Sequence, residues 1–246
     1  MRVTQINFKD DNTSRDTKIK RAKDLILNSP SSHLYMLPEL WNTGFFEFSK
    51  YDENKEPIGG YTVTQMCKIA KAKNAYVFMG SIPELRDTKI YNTAVLIDRQ
   101  GQVIKTYSKI HLFGDEKNYV EKGNDIAVCD TEFGKVGLSI CYDMRFGELY
   151  RKMTDMGAEI FLVCAAWPKV RAEHWDIFNR IRGLENQAIM LSCCSSKNGY
   201  AGVSYGVLPD GRIVSKSDNE VVTFDIDTGT VKEYRENFSV LKDRQI

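Results

Sequence analysis

Gly134-Lys-Val-Gly-Leu-Ser-Ile-Cys141-Tyr-Asp-Met-Arg-Phe-Gly-Glu-Leu-Tyr-Arg151 is the stretch that decides the fold. An apolar strand over residues 134–140 ends at Cys141, and a helix is predicted over 146–156. Leu149, Met153 and Met156 share one face of that helix, and Gly157 is its natural stop. The near-continuous apolar run that follows, 160–165, suits a strand buried on both faces. Strand, helix and buried strand in succession describe an α/β unit.

The same mixture extends outward. Strands are predicted over 3–8, 33–38, 76–82, 91–97 and 103–107, with the turn Asp98-Arg-Gln-Gly101 joining the last two. A helix is predicted over 14–27, with Ile19, Ala22 and Ile26 in one stripe and Asn12, Thr13 or Ser14 as caps. Another over 61–73 aligns Val63, Met66 and Ala70. Beyond the centre come a helix over 173–187, a strand over 188–195, a hairpin about Pro209-Asp-Gly211, a strand over 221–226 and a polar tail. No repeat or linker divides the chain. Alternation of this kind predicts layered sheets covered by helices, in a single domain spanning 1–246.

Composition narrows the function. The 246 residues are 42% hydrophobic and 27% charged, with a formal net charge of +1 and the two signs interspersed. No basic tract suited to nucleic acid or to an anionic membrane is present. The apolar runs are too short to span a bilayer, and residues 1–8 read as a strand rather than a signal sequence. The expected location is therefore the cytoplasm, with the six cysteines as free thiols. Only His33, His111 and His174 are available, which disfavours a zinc enzyme or a cysteine–histidine protease.

Three segments carry chemistry. A thiol at a strand-to-helix turn, as at Cys141, is lifted from the sheet and followed by free backbone N–H groups. On its own, however, such a cysteine reads more readily as core filler. Glu39 leaves an apolar strand directly after Pro38, where desolvation would raise its carboxyl pKa toward that of a useful base. Lys109, within Tyr107-Ser-Lys-Ile-His-Leu-Phe113, is one cation among apolar neighbours. Each is weak alone, since most glutamates and lysines are surface residues.

In order and spacing these segments resemble the nitrilase, or carbon–nitrogen hydrolase, superfamily, over nearly the whole chain. Pro38-Glu39 is similar to its glutamate motif, 107–113 to its lysine motif and Cys141-Tyr-Asp-Met-Arg-Phe146 to its cysteine motif. Glu116 falls where the family keeps a second glutamate. Further similarity lies in Ala166-Trp-Pro168, His174-Trp175, Glu185-Asn-Gln187, Gly202-Val-Ser204 and Pro209-Asp-Gly211. Gly147 stands where proline is usual, at a helix start beyond the reacting atoms.

The resemblance implies a four-layer α-β-β-α sandwich that dimerises through its helices, and the ω-amidase-like branch. Those enzymes act on monoamides of dicarboxylic acids such as α-ketoglutaramate. It implies Cys141 as nucleophile, Glu39 as base, and Lys109 with the Tyr142 backbone N–H as oxyanion hole. Glu116 would orient Lys109 and the substrate amide. No cofactor or metal is implied. Arg171 is expected to grip a substrate carboxylate and Trp175 to line the pocket, although a loop arginine and a core tryptophan are the plain alternatives. Tyr142, Phe45 and Phe46 are expected near the entrance. Asp143 and Arg145 are expected to pin the turn after Cys141, and His174 to be a satisfied helix-start residue. Gly183 marks a close approach of the helix over 173–187, with a subunit contact one reason for it.

An N-carbamoyl amino acid hydrolase or a nitrilase would use the same scaffold, and a non-catalytic binding protein is the alternative of a different class. Arg145 stands too close to Cys141 for a phosphatase loop, and no Cys-x-x-Cys supports redox exchange.

Overall fold

Side chains along the first strands alternate between two cores: Leu34 and Met36 belong to one, Tyr35 and Leu37 to the other. Val77 and Met79 likewise oppose Tyr76 and Phe78, and Val95 and Ile97 oppose Ala94 and Leu96. A sheet apolar on both faces must be covered on both. The computed structural model, which describes residues 1–9, 11–197 and 199–245, shows how.

In chain order the strands are β1 (Arg2–Ile6), β2 (Leu34–Met36), β3 (Tyr76–Arg86), β4 (Lys89–Ile97), β5 (Val103–Ser108), β6 (Ala127–Thr131), β7 (Gly134–Ile140), β8 (Ile160–Ala165), β9 (Ile189–Cys194), β10 (Ser204–Val207), β11 (Ile213–Ser217) and β12 (Val221–Asp225). The helices are α1 (Arg15–Asn28), α2 (Tyr51–Asn54), α3 (Tyr61–Lys73), α4 (Gly147–Asp155), α5 (Ala172–Asn186) and α6 (Gly229–Asn237).

Two six-stranded sheets result, ordered β12-β1-β2-β3-β4-β5 and β11-β10-β9-β8-β7-β6. Each has a parallel centre, β1-β2-β3 in one and β7-β8-β9 in the other, with antiparallel strands at its flanks. One core joins the inner faces of the sheets and continues to α4 and α5 through Leu149, Met153 and Trp175. The other lies between the first sheet and α1 and α3. The four-layer sandwich expected from the resemblance is the observed architecture. No helix among the described residues is long and apolar enough to cross a membrane.

Two features differ from the sequence reading. β6 was not anticipated, being a short edge strand with little apolar signal. The polar tail contains α6, which offers one fully buried apolar side chain, Val231. That helix docks instead through Arg235, whose guanidinium donates to Gln187 O at 3.0 Å and Ala158 O at 2.9 Å. Gly183 is explained within the chain: a Cβ there would lie 3.1 Å from Ala188 O and 3.7 Å from the Met190 side chain.

A bulge between Phe78 and Ser81 in β3 shapes the start of the site. Gly80 has φ +68°, and a Cβ on it would sit 1.9 Å from Pro38 O. The missing side chain lets the segment carrying Glu39 cross β3 closely. Ser81 Oγ accepts from Leu40 N at 3.1 Å, fixing the other side of that glutamate. We expect Gly80→Ala to destabilise the fold by at least about 2 kcal/mol in urea unfolding, because it combines a backbone clash with left-handed strain. It should also displace Glu39.

Candidate active site

Strand ends converge from both sheets. Glu39 follows β2, Asn92 lies in β4 and Lys109 follows β5, all in the first sheet; Cys141 follows β7 and Ala166 follows β8 in the second. Glu116 is carried by a 3-10 turn over Gly114–Asn118. Glu39, Cys141 and Ala166 follow the carboxyl ends of parallel strands, the usual ligand position in α/β folds.

The side chains meet in a buried cluster. Lys109 Nζ donates to Glu39 Oε1 at 2.8 Å and to Glu116 Oε2 at 2.9 Å, with all three side chains shielded from solvent. The Asn92 amide nitrogen donates to the same two carboxylates, at 2.9 Å to Glu39 Oε1 and 2.8 Å to Glu116 Oε1. Phe113 N fixes Glu116 Oε2 at 2.8 Å, and Ala166 N fixes Glu39 Oε2 at 2.9 Å. The Cys141 thiol lies close enough to Glu39 and to the Ala166 N–H for both to act on its proton. Phe45 presents its ring face to the ammonium, 5.0 Å away. An ammonium has three N–H groups, so one of Lys109's remains after the two carboxylates are served.

Burial sets the protonation states. It raises the Glu39 pKa, opposed by the Lys109 charge and reinforced by Glu116. Burial pulls Lys109 down, but Glu116 and Glu39 together outweigh it and hold the ammonium well above its usual range. Cys141 is pushed far up, first by burial and then by the Glu39 charge. The resting arrangement is a neutral thiol beside a carboxylate, not a thiolate ion pair.

Cys141 itself has φ +47°, the left-handed region that non-glycine residues seldom occupy. Asp143 holds that turn. Its Oδ2 accepts from Ile140 N at 3.0 Å and the Tyr107 hydroxyl at 2.8 Å; its Oδ1 accepts from His111 N at 3.0 Å and meets His111 Nδ1 at 2.8 Å. The Tyr142 N–H, second in the 3-10 turn Cys141–Arg145, precedes the first N–H that can find an acceptor within the turn.

Phe45, Phe113, Tyr142 and Trp167 wall a narrow crevice over the sulfur, and Arg145 and Arg171 also line it. Glu39, Lys109, Glu116 and Cys141 are thus brought together, with Tyr142 and Arg171 beside them. Trp175 is not: it is buried against Trp167 at 5.1 Å between ring centroids, and its indole N–H donates to Val203 O. Phe46 stacks on Tyr200 and is 54% exposed, outside the lining. Asp143 pins the turn as expected, whereas Arg145 does not. Its guanidinium lies over Trp167 and Phe178 and contacts His174 Nδ1 at 3.3 Å.

Sequence reasoning missed Asn92 and Trp167. Asn92 left a signal, a buried amide beside Thr93 at the head of the apolar run 94–97. Trp167 stood in a quoted motif but next to a second tryptophan, Trp175, and only the fold separates the two.

Residues 3–236 match the family described as carbon–nitrogen hydrolase. Among curated relatives, the 2-oxoglutaramate amidase of Bacillus subtilis (strain 168) is 33% identical, over 92% of this chain and 90% of its own length. The deaminated glutathione amidase of Dictyostelium discoideum is 31% identical, over 99% and 92% respectively. The omega-amidase NIT2 of Xenopus tropicalis is 29% identical, over 94% and 90%. Among solved structures, Saccharomyces cerevisiae Nit3, a member of branch 10 of the nitrilase superfamily, superposes with a TM-score of 0.92 at 28% identity, covering 100% of this chain and 97% of that one.

Proposed function

The chain belongs to the carbon–nitrogen hydrolase family as an ω-amidase-like amidohydrolase, and on that premise we propose that it releases ammonia from ω-monoamides of small dicarboxylic acids through a thioester on Cys141. The observation that carries this reading is the buried Glu39–Lys109–Glu116 cluster closed against one thiol. α-Ketoglutaramate fits the names of the relatives and the chemistry of the crevice.

Sulfur attacks the amide carbon while Glu39 takes the thiol proton. The new oxyanion is met by the free N–H of Lys109 and by Tyr142 N–H. Collapse breaks the C–N bond as Glu39 returns the proton to nitrogen, and ammonia departs. Water then attacks the thioester carbon with Glu39 again as base. The C–S bond breaks, sulfur regains a proton from Glu39, and the dicarboxylic acid leaves. Glu116 holds Lys109 and the amide in line. Arg171, with Arg145 beside it, gives the crevice a cationic side for the distal carboxylate, where a guanidinium suits such a group.

We take the chain as one functional unit over 1–246, working as a cytoplasmic homodimer. Ile177 and Leu184, 52% and 40% exposed, lie on the outer face of α5 and support association through helices.

The test is ammonia release from α-ketoglutaramate, succinamate, carbamoyl amino acids and aliphatic nitriles. Turnover confined to the ω-monoamides is expected; turnover confined to nitriles or carbamoyl compounds contradicts the reading. The pH profile of kcat/KM should be one-sided. Activity falls as pH drops through the raised Glu39 pKa, because the base becomes protonated. No loss is expected near the ordinary thiol value of about 8.5, since Cys141 and Lys109 are both held well above their usual ranges. A decline centred there contradicts the thiol–carboxylate pair.

A further inference from the structure

Lone-pair accounting around Glu39 singles out Asn92. A carboxylate oxygen accepts about two hydrogen bonds in its plane. Oε1 of Glu39 receives Lys109 Nζ at 2.8 Å and Asn92 Nδ2 at 2.9 Å, and so is filled. Oε2 receives Ala166 N at 2.9 Å, the same N–H that lies against the Cys141 sulfur. One acceptor site therefore remains, and it is on Oε2. The orientation of the Asn92 amide is fixed by chemistry. A flip would set its carbonyl oxygen against two carboxylate oxygens, so both N–H groups must point at Glu39 and Glu116. Its own carbonyl oxygen is buried and has no partner. Such an orphan is unfavourable, and here it accompanies an amide whose hydrogens both serve carboxylates.

We propose that Asn92 is a positioning residue for the amidase reaction: by occupying the second acceptor site of Glu39 Oε1, it confines proton transfer to Oε2, the oxygen that keeps a free acceptor site. The inference rests on the reading of Glu39 as the base. Without the amide, Oε1 offers a second site for the proton in competition with Oε2, and the carboxylate loses one of the three donors that Lys109, Asn92 and Ala166 N supply. Lys109, Glu116 and Cys141 face Glu39 directly, and Tyr51, Cys164 and Cys194 lie within its field. Burial pushes the Cys141, Cys164 and Cys194 thiols and the Tyr51 phenol upward, so Glu39 is the group whose raised pKa sets the acid limb.

The test is the rate of Cys141 alkylation by iodoacetamide against pH, followed on the Cys141 peptide by mass spectrometry. In this step the S–C bond forms, iodide leaves and the thiol proton passes to Glu39, so no amide need be cleaved. Asn92→Leu and Asn92→Asp, both close in volume, remove the donors. Their acid limb should move up by about one pH unit, with alkylation below it slowed about tenfold. In the wild-type protein, the side-chain amide protons of Asn92 should shift in NMR spectra across the same limb, a reading that needs no variant. A limb unmoved in a folded variant, whether or not alkylation is uniformly slower, or an Asn92 amide indifferent to pH, overturns the proposal. If the wild-type protein releases ammonia from no amide, the functional reading fails, while the alkylation limbs still decide the role of Asn92.

Discussion

Cys141→Ala is expected to abolish ammonia release while leaving the fold intact. Removing the nucleophile of a hydrolase that works through a covalent intermediate costs on the order of 10⁶ in kcat, effectively to background. No other cysteine can substitute. Cys164, Cys193 and Cys194 are buried in β8 and β9, and burial holds their thiols above the usual range. The turn should survive, because it is held by Asp143 through Ile140, Tyr107 and His111 rather than by the sulfur. The backbone adds a second, separable effect. At φ +47° an alanine is strained and a glycine is not, so Cys141→Gly should be about 1 kcal/mol more stable than Cys141→Ala in urea unfolding. Equal stabilities would mean that the left-handed conformation stores nothing.

Lys109→Met loses both activity and stability. The ammonium sits between two buried carboxylates, and removing one partner of a buried ion pair typically costs about 3–5 kcal/mol. Loss of an oxyanion donor lowers kcat by about 10²–10³. The two effects have a common consequence for Glu39. Without the cation, nothing opposes the burial and the Glu116 charge that raise the Glu39 pKa, so it rises further. The acid limb of whatever activity persists should therefore move to higher pH. Arginine does not rescue the variant, because its planar fork lacks the compact three-donor geometry used here. A methionine variant with wild-type kcat and an unchanged unfolding midpoint would remove Lys109 from the mechanism.

The layers of the fold were legible because its strands bury both faces. Runs such as 160–165 and 76–79 are apolar, and the helices between such strands carry clear stripes. What escaped notice has little apolar signature: β6 is a short edge strand, and α6 docks through Arg235 rather than a hydrophobic face. The four residues of the cluster were visible as motifs, yet their convergence depends on strand order, which sequence spacing does not encode. Asn92 illustrates the limit. Its backbone oxygen accepts from Lys109 N at 2.9 Å across β4 and β5, so the two side chains are neighbours only because those strands pair. Arg145 and Trp175 show the reverse, since a motif position gives proximity in the chain but not the direction in which a side chain points.

The central claim is that Cys141, activated by Glu39, carries the acyl group between the two halves of the reaction. Rapid-quench mass spectrometry of the protein mixed with α-ketoglutaramate tests it directly. The account predicts a transient acyl adduct on the Cys141 peptide, formed in step with the first equivalent of ammonia and absent from Cys141→Ala. Steady ammonia release with Cys141 unmodified at every time point, and retained in Cys141→Ala, would contradict it.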